Sequence, residues 1–213
     1  MKAVKQAILL SWFTILYNLV EGIVSIYFGI SDEAISLAGF GGDSLIEVAS
    51  ASLVLWRFRG ETQGEITLAL QREKRATLYI GYLFLMLAGI TTVSSVFQVA
   101  TFRRPDTTLP GIVISTLSLS FMFYLWRSKK KVSTLLNSAT MAKDADCSLA
   151  CIKLSGILFV GSIVYLLLPG LWWVDSIAAI AIAIFVAIEG VETVKAAKSD
   201  DFQGGCGCVS KRS

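Results

Sequence analysis

Two residue pairs in this chain have the types and spacing of metal ligands. Asp43 and Glu47 lie in "GGDSLIEVAS", residues 41–50, and Cys147 and Cys151 lie in "CSLAC". On a helix, residues four apart share a face, with Cβ atoms about 5–6 Å apart. Two such pairs on facing helices supply four donors around one cation, the tetrahedral number that suits zinc-like metals. Carboxylates with thiolates make a mixed set that favours Zn²⁺ or a softer ion such as Cd²⁺ over Mg²⁺ or Ca²⁺. Both pairs are embedded in apolar sequence. There an ionisable side chain costs about 2.5–3.5 kcal/mol at the centre of a bilayer by insertion scales. Secondary candidates are Glu21, Asp144, Asp146, Asp175 and the tail thiols Cys206 and Cys208.

Plainer roles compete for these residues. A cysteine in apolar sequence is commonly a small buried hydrophobe. Lys153 lies seven residues after Asp146, close to the same helical face, so those two can pair or line a hydrated flank away from the cysteines. Glu21 with Asn18 can form a polar clamp between helices. Asp175 and Glu189 fall toward the ends of one apolar stretch and can simply meet water.

The elements that must position these residues follow from hydropathy. The chain has 213 residues, 54% of them hydrophobic and 16% charged, and its mean hydropathy is +0.67. Soluble domains run nearer about a quarter charged, so the composition is that of a membrane protein. Six apolar stretches come near the twenty or so residues needed to cross a bilayer. They cover roughly 7–29, 34–56, 76–101, 109–126, 140–168 and 171–192. The expected fold is an all-α membrane protein, a six-transmembrane-helix bundle over residues 1–198. Residues 199–213 form a flexible tail with Cys-Gly-Cys. The first stretch follows Lys2 and Lys5 but is too long for a cleaved leader, and it reads as a retained span.

Charge placement sets the orientation. Breaks at 57–75 and after 126 hold Arg57, Arg59, Arg72, Lys74 and Arg75, and Arg127, Lys129, Lys130, Lys131 and Lys143. With the tail's Lys195, Lys198, Lys211 and Arg212, these fall on one side, and only Arg103 and Arg104 fall on the other. The positive-inside rule then places both termini in the cytoplasm. The "RSKKK" run reads as a topogenic contact with lipid headgroups. The expected location is a plasma, bacterial inner or organelle membrane. The tail thiols are expected to be reduced there, serving metal capture, palmitoylation or no special role.

Depth bears on whether the two pairs can meet. Counted from the turns near Asp32 and Pro169, they differ by roughly 10 Å at the helical rise of about 1.5 Å per residue. Helix tilt can absorb part of that gap.

Four segments, "YNLVEG", "DSLIE", "KDADCSLACIKLSG" and "VDSIAAIAIAIFVAIEG", resemble the cation diffusion facilitator (cation-efflux) transporters. The resemblance implies six spans with cytoplasmic termini and exchange of zinc or related divalent metals for protons. It also implies a homodimer. In that family the ligands are an Asp-x-x-x-Asp pair in span two and a His/Asp-x-x-x-Asp pair in span five. Asp43 matches the first acid and Glu47 replaces the second. Asp144 and Gly156 hold the family's flanking offsets if Cys147 and Cys151 are the span-five ligands. The register starting at Asp146 would put Ala150 at the second ligand position, which cannot coordinate. Asp175 resembles an acid common at the start of span six. The chain departs from the family in having no histidine. Only about twenty residues follow span six, too few for the family's folded cytoplasmic domain.

The function expected is proton-coupled efflux of a divalent heavy-metal cation by alternating access. Its partners would be the metal ion, protons and the lipid bilayer, with no permanent cofactor and no nucleic acid. A non-transporting regulatory or partner-binding subunit built on the same bundle is the alternative. An enzyme is not expected, because the sequence has no triad, HExxH or phosphate-binding motif.

Overall fold

A computed structural model describes residues 2–61, 66–102, 109–136, 139–168, 170–171 and 173–199. The described residues form six α-helices and no strand. The helices are α1 (Lys2–Ser31), α2 (Ile35–Glu61), α3 (Ile66–Ala100), α4 (Leu109–Leu136), α5 (Ala139–Leu167) and α6 (Val174–Lys198). Five of these are long and apolar enough to cross a membrane, and α2 is not among them. Its serines and its two acids lower its hydropathy. It compensates by position, packing against α1, α3, α5 and α6 at the centre of the molecule.

Burial along the helices is inverted relative to a water-soluble bundle. The stripe that α1 turns inward is Ser11, Thr14, Asn18, Glu21 and Ser25, while Leu16, Val20, Ile23, Tyr27 and Ile30 face outward and are exposed. The inward stripe of α4 is Gly111, Ser115, Ser118, Met122, Leu125 and Lys129. On both helices the spacing alternates between three and four residues, the seam of a left-handed helix pair. Small and polar residues inside with large apolar ones outside is the arrangement favoured where the surrounding solvent is hydrocarbon. An apolar core persists where α2, α3, α5 and α6 meet, around Phe40, Phe84, Leu154, Leu158, Ile182 and Val186.

The helices associate most extensively as the pairs α1–α2, α4–α5 and α3–α6. Glycines allow two of these crossings. A Cβ on Gly41 would stand 2.9 Å from the Gly22 carbonyl oxygen, and one on Gly190 would stand 3.1 Å from that of Gly81. At the end holding the α1–α2 turn, Asp175 of α6 caps the start of α2. It accepts a hydrogen bond from the Ile35 N–H (2.9 Å) and a short one from the Ser36 hydroxyl. Gln98 of α3 joins the same latch, donating to the Glu33 carbonyl (2.7 Å) and accepting from Ser176 (2.7 Å). Glu33 itself holds a left-handed φ of 53°, which reverses the chain within three residues. At the opposite end Lys74 donates to the Ser199 carbonyl, 2.9 Å away.

Two basic segments expected as loops are largely helical. Arg72, Lys74 and Arg75 belong to α3, and Arg127, Lys129, Lys130 and Lys131 to α4. Lysine and arginine are good helix formers, so a helix need not stop where its apolar stretch ends. The side chains of Arg57, Arg59 and Lys143, and the tail with Cys206 and Cys208, lie outside the described residues.

Candidate metal centre

The residues singled out on α2 and α5 converge in the interior. Asp43 and Glu47 are 3% and 4% exposed, and Cys151 is 5% exposed. The Cys151 thiol donates to Glu47 Oε2 at 2.9 Å and to Asp43 Oδ2 at 3.4 Å. One thiol of α5 thus reaches both acids of α2. They close around the thiol proton rather than around a common point, and among the described residues no ready-made cage of three or more ligating groups stands open. Cys147 is also buried, one turn along α5, within electrostatic reach of the Lys129 ammonium. Four residues of helix rotate a side chain about 40° past a full turn and move it about 6 Å along the axis. That offset separates the two thiols.

The expected depth mismatch is absent, and the reason is the length of α5. Ser36 and Leu37 of α2 line one small cleft with Leu158 and Ser162 of α5 and Asp175 of α6. The start of α2 is therefore level with the Leu158 turn, not with Pro169. Beyond that level α5 continues to Leu167, with Leu166 and Leu167 standing 49% and 71% exposed. Asp43 and Cys151 each lie seven residues from the shared level, counted from Ser36 and Leu158.

Beside the convergent site lies a cation from the basic "RSKKK" run, which is part of α4 and not a loop. Lys129 is 0% exposed. Its ammonium pairs with Asp144 at 3.0 Å, donates to Ser148 at 2.9 Å and stands 3.9 Å from Glu47 Oε1. The Ser148 hydroxyl also reaches Glu47 Oε1 at 3.2 Å. Lys129 therefore makes no headgroup contact, whereas its neighbours Lys130 and Lys131 are exposed and Lys130 sits over the Trp126 ring at 5.5 Å. A signal for this was present. Lys129 continues the three-and-four spacing of the small and polar stripe on α4.

The secondary candidates separate clearly. Glu21 accepts from Tyr17 at 2.8 Å and from Ser44 at 3.0 Å, and Tyr17 stacks on Phe121 with ring centroids 3.9 Å apart. The clamp between Glu21 and Asn18 does not form, because the buried Asn18 amide has no hydrogen-bond partner among the described residues. Asp144 belongs to the ion pair with Lys129, and Asp175 to the latch at the far end. Lys153 is exposed, on the side of α5 away from Cys151, in a shallow groove with Ile157, Val160, Val174 and Ile177. The Asp146 side chain lies outside the described residues. Glu189 of α6 lies within electrostatic reach of Cys151.

No protein-family model matches the chain. It is 24% identical over 189 residues to Transmembrane protein 163 of Xenopus laevis, a match covering 88% of this chain. The matched region spans 66% of that relative's length, so the chain corresponds to just under two thirds of it. An all-helical architecture, five helices of membrane-crossing length and character, and a transmembrane relative together describe an integral membrane protein.

Proposed function

We propose that this chain is a divalent metal transporter related to the cation diffusion facilitators. In this reading it has six spans and cytoplasmic termini, and it moves Zn²⁺ or a softer ion against protons. The observation that carries the proposal is the convergence of Asp43, Glu47 and Cys151 inside the bundle. Two buried acids meeting a thiol across two helices have little structural use, since each acid costs free energy in hydrocarbon. As ligands they acquire one. A thiolate beside two carboxylates selects soft divalent ions over Mg²⁺ or Ca²⁺.

The hydrogen bonds suggest how protons would exchange for metal. Ligation requires the Cys151 thiol to lose the proton it now shares with Glu47 and Asp43, so cation entry expels protons and protonation expels the cation. No histidine is required. Alternating access belongs to the same reading, with α3 and α6, each packed most extensively on the other, shifting against α2 and α5 to open the site to each side in turn. Dimerisation belongs to the same proposal.

The test is uptake by proteoliposomes holding a zinc-sensitive dye under a pH gradient. Wild-type protein is expected to accumulate Zn²⁺ and Cd²⁺, and Asp43→Ala and Cys151→Ala are each expected to abolish uptake. Undiminished uptake by both variants would sink the reading.

A further inference from the structure

The feature that metal ligation leaves unexplained is the buried lysine. Lys129 sits on α4, and every group it meets belongs to α2 or α5: Asp144 at 3.0 Å, Ser148 at 2.9 Å and Glu47 at 3.9 Å. Removing an ammonium from water is costly, and replacing a buried ion pair by apolar residues is often neutral or stabilising. Stability alone is therefore a poor account of a lysine at 0% exposure in this position. The geometry offers another. Its two carboxylates differ in role, since Glu47 also accepts from Cys151 whereas Asp144 is one turn before Ser148 and away from the convergent site.

We propose that Lys129 is a tethered internal cation that competes with the transported metal for Glu47, and that Asp144 is the parking position to which it retreats when metal binds. The inference rests on the metal-transport reading above. With Glu47 engaged by a divalent cation, repulsion between two positive charges sharing one carboxylate drives the ammonium fully onto Asp144. With the thiol proton in place of the cation, the ammonium is shared, 3.0 Å from Asp144 and 3.9 Å from Glu47, and Ser148, bonded to both the ammonium and Glu47, bridges the two positions. The device moves a fixed charge and transfers no proton. Its consequence is a site held weaker than its ligands alone would make it, so that cargo is released instead of trapped. Lys129 is thus a positioning residue that sets affinity without touching the metal.

The experiment is Zn²⁺ titration of the purified full chain in lipid nanodiscs, by calorimetry, with thermal unfolding of each variant in parallel. Asp144→Asn removes the parking position, holds the ammonium on Glu47 and is expected to weaken Zn²⁺ binding at least fivefold. The double variant Lys129→Gln/Asp144→Asn removes the competitor together with its partner, so neither charge is stranded, and is expected to bind Zn²⁺ at least tenfold more tightly than wild type. In proteoliposomes the double variant is expected to show a lower KM for Zn²⁺ and a lower maximal rate. A merely structural pair would move both variants in the same direction or neither. Double-variant affinity within twofold of wild type, in a protein that unfolds at a similar temperature, overturns the inference while leaving transport intact. If wild-type protein binds no Zn²⁺, or Asp43→Ala binds it as well as wild type, the transport reading itself fails and this inference falls with it.

Discussion

At the scale of single residues, the two cysteines of "CSLAC" are alike in the sequence and unlike in the fold. Cys151 touches both acids of α2, and Cys147 lies one turn away toward Lys129. Cys151→Ser is therefore expected to lower Cd²⁺ affinity more than about 100-fold. Cys147→Ser, acting from beside the site, should lower it by about tenfold, at the lower edge of the usual range for supporting positions. Competition titration against a chelator of known affinity distinguishes the two. Equal losses would mean that α5 rotates on binding to present both thiols. The acids were legible because nothing inexpensive explains charge in an apolar run. Lys129 was not, because a lysine within "RSKKK" has the same local composition whether it faces headgroups or the interior. Only its register against Ser115, Ser118, Met122 and Leu125 distinguishes the cases.

At the scale of helices, the sequence located all six segments but not their ends. Hydropathy marks where a helix leaves hydrocarbon, and helix propensity decides where it stops. α3 and α4 thus continue through basic residues, and α5 overshoots the level at which α2 begins. The depth estimate failed for that reason, since it took the turns as level. Close crossings were likewise only half legible. Glycines in a span suggest packing, but which ones pack depends on rotation about the axis. Gly41 and Gly89 make the contrast testable. A Cβ at Gly41 meets Ser25 and the Gly22 carbonyl at 2.8 and 2.9 Å, whereas one at Gly89 meets nothing within 4 Å. Gly41→Val is expected to destabilise by about 1–3 kcal/mol through overpacking and, by moving α2, to disturb Asp43. Gly89→Ala is expected to be neutral, or stabilising by up to about 1 kcal/mol, through helix propensity alone. Thermal unfolding in detergent micelles reads both.

At the scale of the whole molecule, the two ends of the bundle differ in charge. One end carries Asp32, Glu33 and the Asp175 latch, and the other carries Lys5, Lys74, Lys130, Lys131, Lys195 and Lys198. The positive-inside rule leads us to expect the second end in the cytoplasm, and the direction of the proposed metal movement would follow from that placement. The four cysteines supply a natural assay, because two lie in the tail and two are buried on α5. In intact cells a membrane-impermeant maleimide should leave the chain unmodified. After the membrane is opened without denaturant, it should modify Cys206 and Cys208 only. Cys147 and Cys151 should react only on unfolding, and Zn²⁺ bound to the folded protein should not alter tail labelling. Modification of the tail in intact cells would reverse the orientation and, with it, the side from which Lys129 meets the incoming ion. The convergence of Asp43, Glu47 and Cys151 would be unchanged, since it depends on helix register and not on the direction the helices run.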